Sequence, residues 1–334
     1  MASFRILNII YYLCCMKGVI EIFTELSARL QSIPQSVIDR AQQQNSWFCQ
    51  IRTAIDAICE QMLDADKIRE WLSGYSIPAH TPKKVAIIMA GNIPAVGFAD
   101  LLYVIASGNT AVIKYSSKDR VLMEYIVGQL TDIEPELNIE QYNGQKVDAV
   151  IATGSDSAAL HFRAMFGDIP ALIRGSRHSV AVLTGNESET DIDNLSKDIF
   201  TYSGLGCRNV SLIFAPEALS FSLTVPQMPE GYNNNYRHAR ALLTLQGKNF
   251  TDCGGAITVE GESNFSRFIS CINICRYNDI SEVEDWLKQN DSRLQCVVSA
   301  EKIHSRSVPF GMAQYPNLND YADEVDVMNF LVNI

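Results

Sequence analysis

The sequence predicts an α/β protein of two domains, each built on a parallel-rich, doubly wound sheet. Three observations carry this. Short continuous apolar runs, as a strand buried on both faces requires, recur between stretches of helical periodicity. The strand–helix alternation begins near residue 84 and resumes after Gly175. The chain of 334 residues is long enough for two domains of ~150 residues each.

Residues 1–83 form the N-terminal helical region. Arg5 precedes an apolar stretch, Ile6–Cys15, that faintly imitates a signal peptide. Its basic region is a single arginine and no A-x-A site follows, so a cytoplasmic protein is expected, with Met16 as an alternative start. Val19, Ile22, Phe23, Leu26 and Leu30 fall on one helical face, and Ile51, Ile55, Ile58, Met62 and Leu63 repeat the pattern. Gly74, Pro78 and Pro82 mark a loop over Ser73–Pro82.

Residues 84–174 read as the first α/β domain. Val85–Met89, Ala111–Ile113 and Ala149–Ala152 are buried strands, and Val96–Ala106, Asp119–Leu130 and a stretch ending near Met165 are helices. Residues 175–304 form the second. Strands are expected at Val180–Leu183, Val210–Phe214, Phe268–Cys275 and Leu294–Ser299, and helices at Asp191–Tyr202, Tyr236–Leu245 and Ile280–Gln289. Leu219–Asn235, rich in Pro, Gly and Asn, reads as a surface excursion. Residues 305–334 make a C-terminal tail too short to fold alone.

Composition narrows the function. A net charge of −11 disfavours nucleic acid and anionic membrane as general partners. No run reaches the ~18 apolar residues of a membrane span. The cysteines number nine, an odd count at irregular spacing, which suits reduced thiols in a cytosol. Cys271 and Cys275 stand as a lone CxxxC without a second ligand pair, so no metal site is expected.

Four short segments could carry chemistry. Tyr202-Ser203-Gly204-Leu205-Gly206-Cys207-Arg208-Asn209 places a cysteine after two glycines, between a helix and a strand. A loop thiol beside Arg208 could ionise readily and act as a nucleophile, although small buried cysteines are common. Asn92, in Gly91-Asn92-Ile93-Pro94, lies just past the first strand, where open α/β sheets bind ligands and where turn asparagines are also frequent. Lys114, Ser116, Ser117 and Lys118 follow the second strand, and Thr153-Gly154-Ser155 precedes a helix whose N-terminus could meet phosphate. No G-x-G-x-x-G follows the first strand, so the usual dinucleotide fingerprint is missing.

In their order, "GNIP…GNTAVIKYSS…TGS…GLGC" resembles the aldehyde dehydrogenase superfamily, whose cofactor domain lacks that fingerprint. "GNIPAVGFADLLYVIASGNTAVIKYSSKDR" and "SGLGCRNVSLIF" look most like the fatty acyl-CoA reductase (LuxC-type) family of bacterial bioluminescence, and "LNDYADEVDVMNFL" resembles related acyl-CoA reductases. The resemblance spans about residues 80–334. It implies an aldehyde-dehydrogenase-like fold with a C-terminal oligomerisation tail, Cys207 as nucleophile and Asn92 as oxyanion donor. It also implies Lys114 at the adenosine ribose, and Thr153, Gly154 and Ser155 at the pyrophosphate.

Departures from that pattern refine it. The family's E-L-G-G-K segment, with its general-base glutamate, reads here Leu172-Ile173-Arg174-Gly175-Ser176-Arg177. Ile173 takes the glutamate position, which suits an enzyme for which thioester hydrolysis is wasteful. Where NAD-preferring members carry a glutamate after the lysine, this chain has Ser117, then Lys118, which would accept a 2′-phosphate. The expected cofactor is therefore NADPH, with NADH as the alternative, and the expected substrate is an acyl-CoA. His178, near the domain junction, is a candidate proton donor and equally a structural histidine. At least a dimer is expected, and an acyl-donating partner protein is compatible with the luminescence resemblance. The rival readings are an acyl-phosphate reductase of the same superfamily, a cofactor-free cysteine hydrolase or acyltransferase using His178 or His238, and a non-enzymatic member acting through assembly.

Overall fold

The computed structural model describes residues 18–77, 81–261 and 263–334. The Ile6–Cys15 stretch and the alternative start at Met16 lie outside them. The described residues fall into two compact units. The first contains the described residues up to Asn45, then Ile51–Gly175 and Pro316–Ile334. The second contains Ser46–Gln50 and Ser176–Tyr315.

The first unit opens on helix α1 (18–31), then α2 (Gln35–Gln44), α3 (Ile51–Met62) and α4 (Ala65–Ser73). Their inward stripes are those the periodicity marks: Phe23, Leu26 and Leu30, then Ile51, Ile55, Ile58, Met62 and Leu63, are buried. Asp64 caps α4 through the Asp66 and Lys67 amides. A five-stranded sheet follows, all parallel, in the order β3–β2–β1–β4–β5. Its strands are β1 (Lys84–Ile88), β2 (Thr110–Lys114), β3 (Ile139–Gln141), β4 (Ala149–Thr153) and β5 (Ala171–Arg174). Helices α5 (Phe98–Ala106), α6 (Arg120–Ile133) and α7 (Asp156–Phe166) connect them.

The chain's last segment belongs to this unit. Val327, Met328 and Leu331 of the short helix α11 (Val327–Val332) are buried, and the Asn109 amide donates to the Leu331 carbonyl at 3.0 Å. The Tyr103 hydroxyl donates to the Leu318 carbonyl, and the Trp71 indole donates to the Tyr321 hydroxyl at 2.7 Å. Val327, Met328 and Leu331 of the tail are thus buried by their own chain, while Val325 is exposed.

The second unit holds a seven-stranded sheet in the order β12–β11–β6–β7–β10–β9–β8. Its strands are β6 (His178–Val182), β7 (Val210–Pro216), β8 (Thr251–Asp252), β9 (Ile257–Glu260), β10 (Cys271–Tyr277), β11 (Leu294–Ser299) and β12 (Ser307–Val308). All pair in parallel except β8 with β9. Helices α8 (Glu189–Phe200), α9 (Glu230–Leu245) and α10 (Ile280–Gln289) flank it. Capping boxes begin α8 at Ser188 and α10 at Asp279.

One expectation holds only in part. Leu219–Asn235 runs along the surface, yet it is anchored in the core. Leu223 is buried, while Leu219, Phe221, Val225 and Met228 pack on the core formed by Ala181, Ile199, Phe200, Tyr232 and Ile272. Its last residues are helical, because α9 starts at Glu230. The weak helix formers Gly231 and Asn233–Asn235 are carried by the burial of Tyr232 and Ala239 on the same helix. Among the described residues, no helix is long and apolar enough to cross a membrane.

Candidate active site

Every cofactor-side residue singled out in the sequence leaves the first sheet at one edge. Ile88 of β1 lies opposite Lys114 of β2 on one side and Ala152 of β4 on the other. Asn92 follows β1, Lys114 ends β2, and Thr153-Gly154-Ser155 ends β4 and leads into α7. These are the carboxyl ends of three adjacent parallel strands, at the point where the strand order reverses direction from β1. Open α/β sheets bind ligands at such a switch point.

The Asn92 turn is built on close packing. A Cβ at Gly91 would lie 2.3 Å from Ser116 Oγ, so only glycine fits. Ala95 takes a left-handed φ of 54°, and its amide donates to Asp119 Oδ2 at 2.8 Å. Asp119 stands just before α6 but does not cap it. Its carboxyl is 1% exposed, and Oδ1 has no hydrogen-bond partner. Burial pushes this carboxyl up to about 8, so it is protonated at neutral pH. Asp119 therefore ties the turn carrying Asn92 to the loop carrying Ser116–Lys118, a link that the sequence reading missed.

Lys114, Ser117 and Lys118 are exposed at this edge. The nearest acid in sequence, Asp119, faces inward and is neutral. The edge therefore presents two lysines and a hydroxyl to solvent. At the Thr153–Ser155 turn the side chains are already engaged. The Ser155 side chain already caps α7 by accepting from the Ala158 amide, and Asp156 places a carboxylate in the first turn. Any phosphate contact there falls to backbone N–H groups.

Ile173 lies inside β5, opposite Ala152, and packs on the apolar cluster of Ala86, Ile88, Val150 and Phe166. Its neighbour Arg174 points the other way, where Nη1 donates to both Asp100 oxygens at 2.8 Å. This buried pair fixes α5 to the end of β5.

Asp119 also sets a pH dependence. The folded carboxyl titrates near 8 and the unfolded one near 3.8, so the folded state holds an extra proton between those values. The stability this contributes is full below pH ~4 and is lost as pH rises towards 8, by up to about 1.4 kcal/mol per pH unit. Asp119→Asn keeps an acceptor for Ala95 and cannot ionise. Thermal melts from pH 5 to 9 are expected to fall less steeply for Asp119→Asn than for wild type. Parallel curves would show that Asp119 does not titrate in this range.

The second unit holds Cys207, in the link between α8 and β7. Three residues before that link's tight turn are left-handed: Tyr202 (φ 55°), Ser203 (φ 58°) and Gly204 (φ 70°). A non-glycine residue in this region costs roughly 1–3 kcal/mol and persists only where its surroundings impose it. The turn itself is closed by the Asn209 amide donating to the Gly206 carbonyl at 3.1 Å, with Cys207 and Arg208 at its centre. The Asn209 side chain accepts from the Gly206 amide at 2.8 Å and donates to the carbonyls of Asp198, Ile199 and Thr201. The Cys207 carbonyl accepts from the fully buried Ser179 hydroxyl at 2.9 Å, and Ser179 Oγ accepts from the Cys296 amide. On this fixed backbone the Cys207 side chain is exposed, between buried Arg208 and Asn209.

Arg208 is buried, and its guanidinium donates through Nε to the Ala313 carbonyl. Asp198, beside it, accepts from the Gly311 and Ala313 amides. Arg208 thus locks residues 311–313 beneath the turn. His178 begins β6 with its ring stacked on Phe265, centroids 4.2 Å apart at 13°. Side chains alternate along a strand, so this ring leaves the face opposite Ser179, whose hydroxyl binds Cys207. His238 is exposed on α9, with Phe268 6.0 Å away.

Among the described residues no cluster of His, Cys, Asp or Glu could hold a metal ion. No protein-family model matches the sequence, and neither does any curated protein. Solved structures do match. Aldehyde dehydrogenase 21 from Physcomitrella patens, complexed with its product succinate, aligns at a TM-score of 0.69 and 10% identity, over 95% of this chain and 84% of that one. Succinic semialdehyde dehydrogenase from Streptococcus pyogenes, with NADP+ as cofactor, gives 0.62 and 12% over 90% and 80%. NADP-dependent glyceraldehyde-3-phosphate dehydrogenase from Bacillus halodurans, complexed with NADP, gives 0.59 and 12% over 85% and 73%. At these identities the likeness shows the fold, which is aldehyde-dehydrogenase-like.

Proposed function

We propose that this protein reduces an acyl-CoA thioester, of the fatty acyl class, to the aldehyde with NADPH through an acyl-enzyme on Cys207. The observation that carries this reading is the Cys207 turn. Buried Ser179 and Asn209 fix its backbone, yet the thiol is left exposed. A structural cysteine is ordinarily buried, whereas a nucleophile must be both fixed and reachable.

In the proposed reaction the Cys207 thiolate attacks the acyl carbonyl and forms the new C–S bond. The Asn92 amide and the Cys207 N–H stabilise the oxyanion, the roles that the family resemblance assigns them. The bond to CoA breaks, and the CoA thiolate takes a proton from solvent. A bound nicotinamide cofactor would supply the hydride needed to reduce the acyl-enzyme held on Cys207. Release of the aldehyde returns the Cys207 thiolate. Acyl-CoA, NADPH and one proton thus give aldehyde, CoA and NADP+.

The family resemblance puts Ile173 where hydrolytic members carry a general-base glutamate, and an apolar side chain cannot activate water, which supports reduction over hydrolysis. Lys114 is assigned to the adenosine ribose, and Ser116, Ser117 and Lys118 to the 2′-phosphate. The backbone of Thr153, Gly154 and Ser155 is assigned to the pyrophosphate. NADH is the alternative cofactor. His178 is given no part in the reaction, since its stack on Phe265 accounts for its position. The reading is completed by a cytoplasmic location, at least a homodimer, and delivery of the acyl group either as free acyl-CoA or by a partner protein.

The test is NADPH oxidation by the purified protein with long-chain acyl-CoA, with acyl phosphates, and with neither. Oxidation driven by acyl-CoA is expected. Oxidation driven only by acyl phosphate would move the reading to the acyl-phosphate class. Release of free acid without NADPH would replace it with a cysteine hydrolase.

A further inference from the structure

The five residues between α2 and α3, Ser46–Gln50, leave the helical region and join the unit that carries Cys207. Phe48 is buried there. The Trp47 ring lies against Gly231, where a Cβ would come within 2.5 Å of it. This segment meets the left-handed run that precedes the Cys207 turn. The Tyr202 amide donates to Gln50 Oε1 at 2.5 Å. The Ser203 hydroxyl donates to the Trp47 carbonyl at 3.5 Å and lies 3.6 Å from Cys49 Sγ. From the other side Ile269 closes on Gly204, where a Cβ would approach Ile269 Cγ2 to 2.9 Å.

Two consecutive non-glycine residues in the left-handed region are unusual, and they need an external constraint. Within that run the Tyr202 amide donates to the Gln50 side chain. Asn209 and Ser179 hold the turn downstream of this run. Gln50 holds it upstream.

We propose that Gln50 is a positioning residue for Cys207, holding the Tyr202–Gly204 run from which the nucleophile turn is presented. The proposal rests on reading Cys207 as the nucleophile. A segment distant in sequence would thereby set the geometry of the thiol without touching substrate.

Gln50→Met keeps length and apolar volume but removes the acceptor, and Gln50→Glu keeps an acceptor oxygen. The primary readout is the rate of iodoacetamide alkylation at Cys207, followed by peptide mass mapping across pH, so that Cys49 is scored separately. That readout needs no acyl-CoA, so it stands apart from the success or failure of the reductase reading. Gln50→Met is expected to lower the alkylation rate, and kcat where turnover is measurable, by about tenfold with KM unchanged, the scale of a small misplacement of a reacting group. Gln50→Glu is expected to recover most of the loss. Alkylation of Gln50→Met at the wild-type rate and pH profile would overturn the proposal. Should Gln50→Met not fold, hydrogen exchange on the wild type decides. Protection of the Tyr202 amide comparable to that of core strands is expected, and exchange at the rate of an open amide would overturn the proposal.

Discussion

Cys207→Ala is expected to abolish acyl-CoA-dependent NADPH oxidation, with a fall of roughly 10⁴-fold or more, as when a covalent nucleophile is deleted from an otherwise intact site. The fold should not register the change. Cys207 is exposed, so alanine leaves no cavity, and the hydrogen bonds that hold the turn come from its backbone, Ser179 and Asn209. The melting temperature should stay near wild type, since surface truncations of this kind cost about 0.5 kcal/mol or less. Turnover is read from the decline in NADPH absorbance. Substantial residual turnover with an unchanged fold would remove Cys207 from the reaction.

Asn92→Ala is expected to lower kcat by ~10²–10³-fold, the usual loss when one oxyanion donor is removed. A turn-forming role predicts something different. The conformation of that turn is held by Gly91 against Ser116 and by the Ala95 amide on Asp119, neither of which uses the Asn92 side chain. Alanine at 92 should therefore leave the turn folded and the thermal shift induced by NADPH unchanged. If kcat is preserved while stability falls, Asn92 is a structural asparagine.

Much of the scaffold was legible because parallel strands buried on both faces leave continuous apolar runs. Val85–Met89 and Ala149–Ala152 coincide closely with β1 and β4, and Leu294–Ser299 is β11. Strands at the edges were not. β3 is three half-exposed or exposed residues, and β8 is a pair of exposed ones, so no apolar run marks them. The Leu219–Asn235 segment was read only in part because its Pro, Gly and Asn content describes local backbone preference. Its fate was decided by tertiary burial of Leu223 and Tyr232.

The strands and turns that carry the candidate residues were legible, but what holds them in place was not. Asn92, Lys114 and the Thr153–Ser155 turn do leave adjacent strands of one sheet, and Cys207 does sit in an exposed turn. The bond from Arg208 to Ala313 was not foreseen. Asp119 stands at the helix start as read, but its bridge between two loops was not foreseen. Gln50 carried no signal at all. Each of these depends on which distant backbone group a side chain meets, and that pairing has no period or motif in the sequence.

The most direct test of the central claim is the intact mass of the protein incubated with a long-chain acyl-CoA and no NADPH. The account predicts a gain of one acyl group, mapped to the peptide containing Cys207, which persists without hydrolysis and disappears on adding NADPH as free aldehyde forms. No acyl adduct at Cys207, or an adduct that decays to free acid without NADPH, would contradict it.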